Sequence, residues 1–210
     1  MAFPALASTW IENGDRLSQL EFHRRYEQRP DLKKAELVEG VVHLPSPVRA
    51  RQHGGLEGDA GAWLGVYKAD HPGLQLNHNT TVILDARNEV QPDICLRRID
   101  GGSSRLVDDY IEGPPELVVE IAASSASIDL HAKKDLYRRA GVQEYIVWRV
   151  FDEAIDWWEL RDDDYVTLAP DAEGVVHSNV FPGLRLKPAD LLAGDLAAVL
   201  ALPNAPGHTP

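Results

Sequence analysis

The run Leu117-Val118-Val119-Glu120-Ile121-Ala122 is too apolar to face water on either side. A bounded run this short reads as a strand buried on both faces, which demands a sheet with further layers packed above and below it. Glu120 stands in its middle. A carboxylate there is tolerable only when a cation, hydrogen bonds or a metal compensate it.

The segment that follows offers a partner. Residues Asp129 to Ala140 read as a helix, and at about 100° per residue Leu130, Leu136, Tyr137 and Ala140 form its apolar face. Lys133 falls inside that face, whereas His131, Lys134, Asp135, Arg138 and Arg139 lie opposite. A buried acid is thus followed by a buried base. A second acid, Asp93, stands near the head of the strand-like "QPDICL", on the face of Cys95. Pro92 places it near a sheet boundary. Asp93 and Glu120 on adjacent strands would repel, and a hard divalent cation held by one or two carboxylates would remove the repulsion. A purely structural Glu120–Lys133 pair and a capping Asp93 are the plain alternatives.

Elsewhere the pattern gives a short helix at Ser18–Gln28 with Ser18 as cap and Glu21 in the capping-box position, and a hairpin in Ala35–Leu44 turning near Glu39-Gly40. A helix follows over about Val48–Ala69, then strands near Leu74–Asn77, Thr80–Leu84 and Gln91–Leu96. "RRIDGGSSRLVDDYIEGPP" reads as a polar loop. "EYIVWRV" and "AIDWWEL" read as strands, "YVTLAP" and "GVVHS" as a hairpin pair, and "PADLLAGDLAAVLAL" as one helix with Pro188 at its start. Strands arrive singly and in hairpins with helices between some of them, so the expectation is an α+β chain with a mixed central sheet flanked by helices. It carries an N-terminal β-hairpin and a C-terminal helix. Residues 1–202 are expected as one domain and 203–210 as a disordered tail.

Several classes are excluded. One cysteine, Cys95, leaves no intrachain disulfide and no cysteine metal cluster. The histidines lack zinc-site spacing, and no G-x-S-x-G elbow, P-loop or dinucleotide fingerprint is present. No stretch approaches a membrane span, and the N-terminus lacks the pattern of a signal peptide, so a cytoplasmic protein is expected. The 33 acidic against 21 basic residues disfavour nucleic acid unless the bases gather at one place.

The acid, the following glutamate and the lysine resemble the P-D-(D/E)-x-K nuclease superfamily with its restriction-endonuclease-like core. More closely, the chain resembles the Uma2 branch of endonucleases, long catalogued as a domain of unknown function. "AELVEGVVHLPSPV" followed by His53, "NEVQPDICLR", "GPPELVVEIAASSASIDLHAKKDLYRRAGVQEYIVWRV" and "VFPGLRL" carry the resemblance. It implies Mg²⁺- or Mn²⁺-dependent hydrolysis of phosphodiesters, with Asp93, Glu120 and the Ile121 carbonyl on the metal and Lys133 orienting the attacking water or stabilising developing charge. The superfamily lysine belongs two residues after the glutamate, where this chain has Ala122. In the branch it resembles, the lysine comes from the next helix, at Lys133.

The resemblance further implies supporting roles for Glu36, as a third carboxylate near the metal or a strand-edge charge, and for His53, on a phosphate or on Glu36, with a packed surface histidine as its plain alternative. Gln91 is expected to line the cleft. Lys134, Arg138, Arg97 and Arg98 are expected to form a basic rim for DNA, and a homodimer is expected for double-strand cleavage, with the apolar C-terminal segment as its interface. A binding module without catalysis is the competing expectation.

Overall fold

The computed structural model describes residues 10–44, 54–123 and 127–202. Along the chain, α1 (Gln19–Tyr26) leads into the hairpin β1 (Glu36–Val38) and β2 (Val41–His43), then α2 (Gly55–Ala69). β3 (Leu74–His78), β4 (Val82–Asp85), β5 (Asn88–Val90) and β6 (Ile94–Arg98) follow. A second hairpin, β7 (Arg105–Val107) and β8 (Tyr110–Glu112), precedes β9 (Leu117–Ala122). A π-helical turn (Ile128–Lys133) runs into α3 (Lys134–Ala140). Strands β10 (Glu144–Arg149), β11 (Ala154–Arg161), β12 (Asp164–Thr167), β13 (Val176–His177) and β14 (Arg185–Leu186) then lead to α4 (Pro188–Leu192) and α5 (Leu196–Ala201).

The mixed α+β class is as expected, but the strands divide between two mixed sheets of six strands each, and β13 and β14 pair apart from both. The large sheet runs β12-β11-β10-β9-β6-β3, with β9 and β10 parallel and every other pair antiparallel. Two adjacent parallel strands need a crossover, and the π-turn with α3 supplies it. β9 is buried along its whole length. Its alternation sends Leu117, Val119 and Ile121 into a core shared with Trp63 and Leu64 of α2. Val118 and Ala122 go to the opposite core, with Leu136 and Tyr137 of α3 and Tyr145 of β10. Glu120 has the parity of the second set, so the strand's period of two aims it at the crossover helix.

The smaller sheet runs β2-β1-β5-β4-β8-β7. Gln91, Pro92 and Asp93 carry the chain from β5 in this sheet to β6 in the large one. Pro92 has no N–H to give a ladder and falls at the break between the two.

Four local expectations change. The polar loop contains the β7–β8 hairpin, turned by Asp108 and Asp109 at φ 48° and 69°. "YVTLAP" and "GVVHS" do not pair with each other: β12 joins β11, and β13 joins β14. The C-terminal helix is two helices, broken at Gly194 (φ 72°) and restarted by Asp195, whose Oδ1 accepts the Ala198 N–H at 2.9 Å. At α1, Ser18 Oγ accepts the Glu21 N–H at 3.4 Å, but the Glu21 carboxylate turns to Arg24 and Arg25 instead of closing a capping box. The early part of the helix expected from Val48 and the tail 203–210 lie outside the described residues. Among the described residues, no helix is long and apolar enough to cross a membrane.

Candidate active site

The antiparallel register of β6 on β9 sets Ile94 opposite Val119 and Cys95 opposite Val118. One residue further, it sets Asp93 opposite Glu120. Asp93 Oδ2 accepts the Ile121 N–H at 2.8 Å, and Oδ1 accepts from Lys34 Nζ at 3.0 Å. Glu120 Oε1 accepts from Lys133 Nζ at 2.8 Å and from the Tyr137 hydroxyl at 2.9 Å. Asp93 and Glu120 are 3% and 2% exposed.

A third acid comes from the other sheet. Glu36, at the start of β1, places Oε1 2.8 Å from the Gln91 N–H and 2.9 Å from Lys133 Nζ. Asp129 Oδ1 lies 3.8 Å from the same ammonium, one turn before it. Lys133 therefore sits among three buried carboxylates, while Lys34 sits on Asp93. The π-turn brings both Asp129 and Lys133 inward, and the Tyr145 hydroxyl donates to the Asp129 carbonyl at 3.0 Å, tying the turn to β10.

Among the described residues, four carboxylates and two ammonium groups meet at this seam. Burial pushes the Glu120 carboxyl up to about 8, with Asp93 and Asp129 pushing the same way against Lys133 and Lys34. For Glu36 burial pushes upward too, but Lys133, Lys34 and the Gln91 N–H outweigh it and hold the group below its ordinary value. Burial would lower Lys133, yet Glu120, Glu36 and Asp129 together keep it protonated far above the usual range.

The donor set fits a hard divalent cation. Each glutamate spends Oε1 on Lys133, and among the described residues Glu36 Oε2 and Glu120 Oε2 accept no hydrogen bond. Among those residues no group of three or more His, Cys, Asp or Glu forms a ready metal cage. Mg²⁺ does not require one, since it is held by one or two carboxylates and completes its shell with water and substrate phosphate.

The residues singled out in the sequence fare differently. Asp93, Glu120, Glu36 and Lys133 converge. Gln91 is close by, but its amide is turned inward: Nε2 donates to Thr81 Oγ1 at 2.9 Å and to the Tyr26 hydroxyl at 3.1 Å. It buttresses Glu36 through its backbone. His53 lies outside the described residues.

The expected basic rim is committed to partners. Arg97, 2% exposed, donates to Ser104 Oγ, the Ser104 carbonyl and Gln75, so it is removed from any rim by burial. Arg98 donates to the Val180 carbonyl and lies over the Phe181 ring. Lys134 Nζ sits 3.7 Å from the centre of the Trp158 ring. Arg138 bonds Asp135 and the Asp163 carbonyl. Of the four, Arg138 is held by an acid, and the others by uncharged groups. Sequence reasoning missed Lys34 and the part played by the Tyr137 hydroxyl; Tyr137 follows Lys133 by one helical turn, which was the available signal.

A model of the Uma2 family, described as "Putative restriction endonuclease", matches residues 20–189. That span includes Lys34, Glu36, Asp93, Glu120, Asp129, Lys133 and Tyr137. Among solved structures, the crystal structure of "a putative nuclease belonging to DUF820" from Anabaena variabilis superposes with a TM-score of 0.64 at 14% identity. The match covers 81% of this chain and 96% of that one, and at this identity it shows a shared fold. Among curated proteins none matches the chain.

Proposed function

The chain belongs to the Uma2 family, and from that premise we propose that it is an endonuclease hydrolysing DNA phosphodiester bonds with Mg²⁺ or Mn²⁺ on Asp93 and Glu120. One observation carries the reading. Two strand carboxylates, Asp93 and Glu120, face each other at the seam of the sheets, with Glu36 converging on the same lysine as Glu120.

When bound, the ion supplies Lewis-acid activation of a water and of the phosphate. The protein supplies position. The Ile121 N–H fixes the Asp93 carboxylate, Tyr137 and Lys133 fix Glu120, and the Gln91 N–H fixes Glu36. These contacts leave one glutamate oxygen on each side uncommitted, and the carbonyl of Ile121, the next residue in the strand, would be a further ligand. Lys133, expected on the reacting water, is enclosed by acids, and the role this supports is to hold Glu36 and Glu120 at a common distance. Hydrolysis adds one water across the P–O3′ bond. The water oxygen bonds to phosphorus, the bond to O3′ breaks, and O3′ leaves with a proton, giving 5′-phosphate and 3′-hydroxyl ends. One such centre cuts one strand, so a double-strand break takes two copies of the chain.

Incubation with supercoiled plasmid at low salt tests the reading. Nicking in Mg²⁺ or Mn²⁺ is expected, with none in EDTA and none from a folded Glu120→Gln variant. Absence of metal-dependent cutting on plasmid and single-stranded DNA by the wild type would overturn it. Ala122, in the place of the superfamily's lysine, favours a second reading, a non-catalytic DNA-binding module; DNA binding without cutting would support that instead.

A further inference from the structure

The buried cluster contains two lysines, and they are placed unlike each other. Lys133 is enclosed, its side chain 4% exposed, with carboxylate oxygens at 2.8, 2.9 and 3.8 Å. To meet a substrate phosphate it would have to abandon three buried acids, leaving their charge uncompensated. Lys34 approaches from the other side. It belongs to the segment just before β1, its side chain is 21% exposed, and its bond is to Oδ1 of Asp93 at 3.0 Å. The neighbouring Lys33 is exposed.

The strand itself has no place for the missing lysine. Ala122 is 1% exposed, packed in the core beside Leu136, Tyr137 and Tyr145, and paired with Arg149 of β10. The basic groups first expected to meet DNA are engaged elsewhere, as described above. Among the described residues, Lys34 is thus the cation that combines contact with a candidate metal carboxylate and a path to solvent.

Resting on the nuclease reading, we propose that Lys34 is the lysine that meets the substrate phosphate at this centre, while Lys133 holds the acids in place. In the free protein Lys34 neutralises Asp93. On engagement its ammonium exchanges Asp93 Oδ1 for a non-bridging phosphate oxygen, a transfer between two anionic oxygens that keeps the ammonium paired while Asp93 retains the Ile121 N–H. Lys33 lies beside it on the same segment as a second backbone contact.

The test uses the full chain, with Lys34→Met and Lys133→Met variants. Binding of a short fluorescein-labelled DNA duplex is followed by anisotropy in EDTA over a series of salt concentrations, alongside thermal melting and plasmid cutting. Lys34→Met, which uncovers one buried carboxylate still held by the Ile121 N–H, is expected to lose less melting temperature than Lys133→Met and to bind the duplex several-fold more weakly. Its slope of log K on log salt should be shallower by about one, the signature of one lost phosphate contact, and its plasmid cutting should be lost. Lys133→Met is expected to show a large loss of melting temperature. A Lys34→Met protein with the affinity, salt slope and cutting of the wild type overturns the assignment and leaves the nuclease reading standing. A wild type that neither binds nor cuts DNA overturns both.

Discussion

Replacing Lys133 by methionine keeps most of the side-chain volume and removes an ammonium that three buried acids share. Its ammonium lies 2.8 Å from Glu120, 2.9 Å from Glu36 and 3.8 Å from Asp129, all within a region excluded from water. Removing one partner of a buried ion pair costs about 3–5 kcal/mol, because the remaining charge is left uncompensated. For a chain of this size each kcal/mol lowers the melting temperature by about 2–4 °C, so a fall of roughly 6–20 °C is expected. The dependence on pH carries a definite sign. Glu36 is held below its ordinary value chiefly against burial by Lys133, and Glu120 is already raised by burial. Without the ammonium both folded-state values rise above those of the unfolded chain. Their protonated forms are then favoured by folding, so the deficit is small in acid and grows as pH rises. Urea unfolding of wild type and variant at about pH 5 and about pH 8.5 measures it. A deficit below about 1 kcal/mol, the level of an exposed ion pair, would refute this reasoning. A deficit that shrinks with rising pH would refute it equally.

Glu120→Gln isolates one titration: the wild-type carboxyl, raised by burial to about 8, stabilises fully below its unfolded value and loses that contribution as pH rises through about 8. The wild type should lose stability over this range more steeply than Glu120→Gln, and parallel stability curves would contradict the assignment. Cys95, buried with its thiol pushed up to about 12, should resist a thiol reagent in the native protein and react on unfolding; rapid native labelling would contradict its burial. Arg97→Ala should destabilise the fold by about 2–4 kcal/mol, since its partners Ser104 and Gln75 lose a buried charged donor. The salt dependence of DNA binding should not change, and a shallower slope would return Arg97 to the DNA contact.

What the sequence made legible follows from which interactions are local or periodic. The apolar run at Leu117–Ala122 declared its burial, and the helical spacing after it brought Lys133 inward to Glu120 even though the first turn proves to be π-helical. Asp93 was readable because Pro92 marks where one sheet ends. Lys34 was not, since nothing in its surroundings points to an acid 59 residues away. The β7–β8 hairpin was missed because its strands are three residues each and its turn is two aspartates in left-handed conformation, a composition that reads as a polar loop. The same chemistry at Asp162 and Asp163 turns β11 into β12, which is why "YVTLAP" pairs backward along the chain. A count of charges on one helix does not reveal who already holds them: Arg138 is bound to Asp135 and Arg139 to Asp135 and Glu39.

A divalent-metal site at the seam carboxylates is the premise of the nuclease reading. Titration of the protein with Mn²⁺, with free ion followed by its electron paramagnetic resonance signal, reads that site without any nucleic acid present. A single Mn²⁺ bound per wild-type chain, lost in folded Asp93→Asn and Glu120→Gln variants, is the predicted result. No binding by the wild type, or binding that both variants retain, would contradict it.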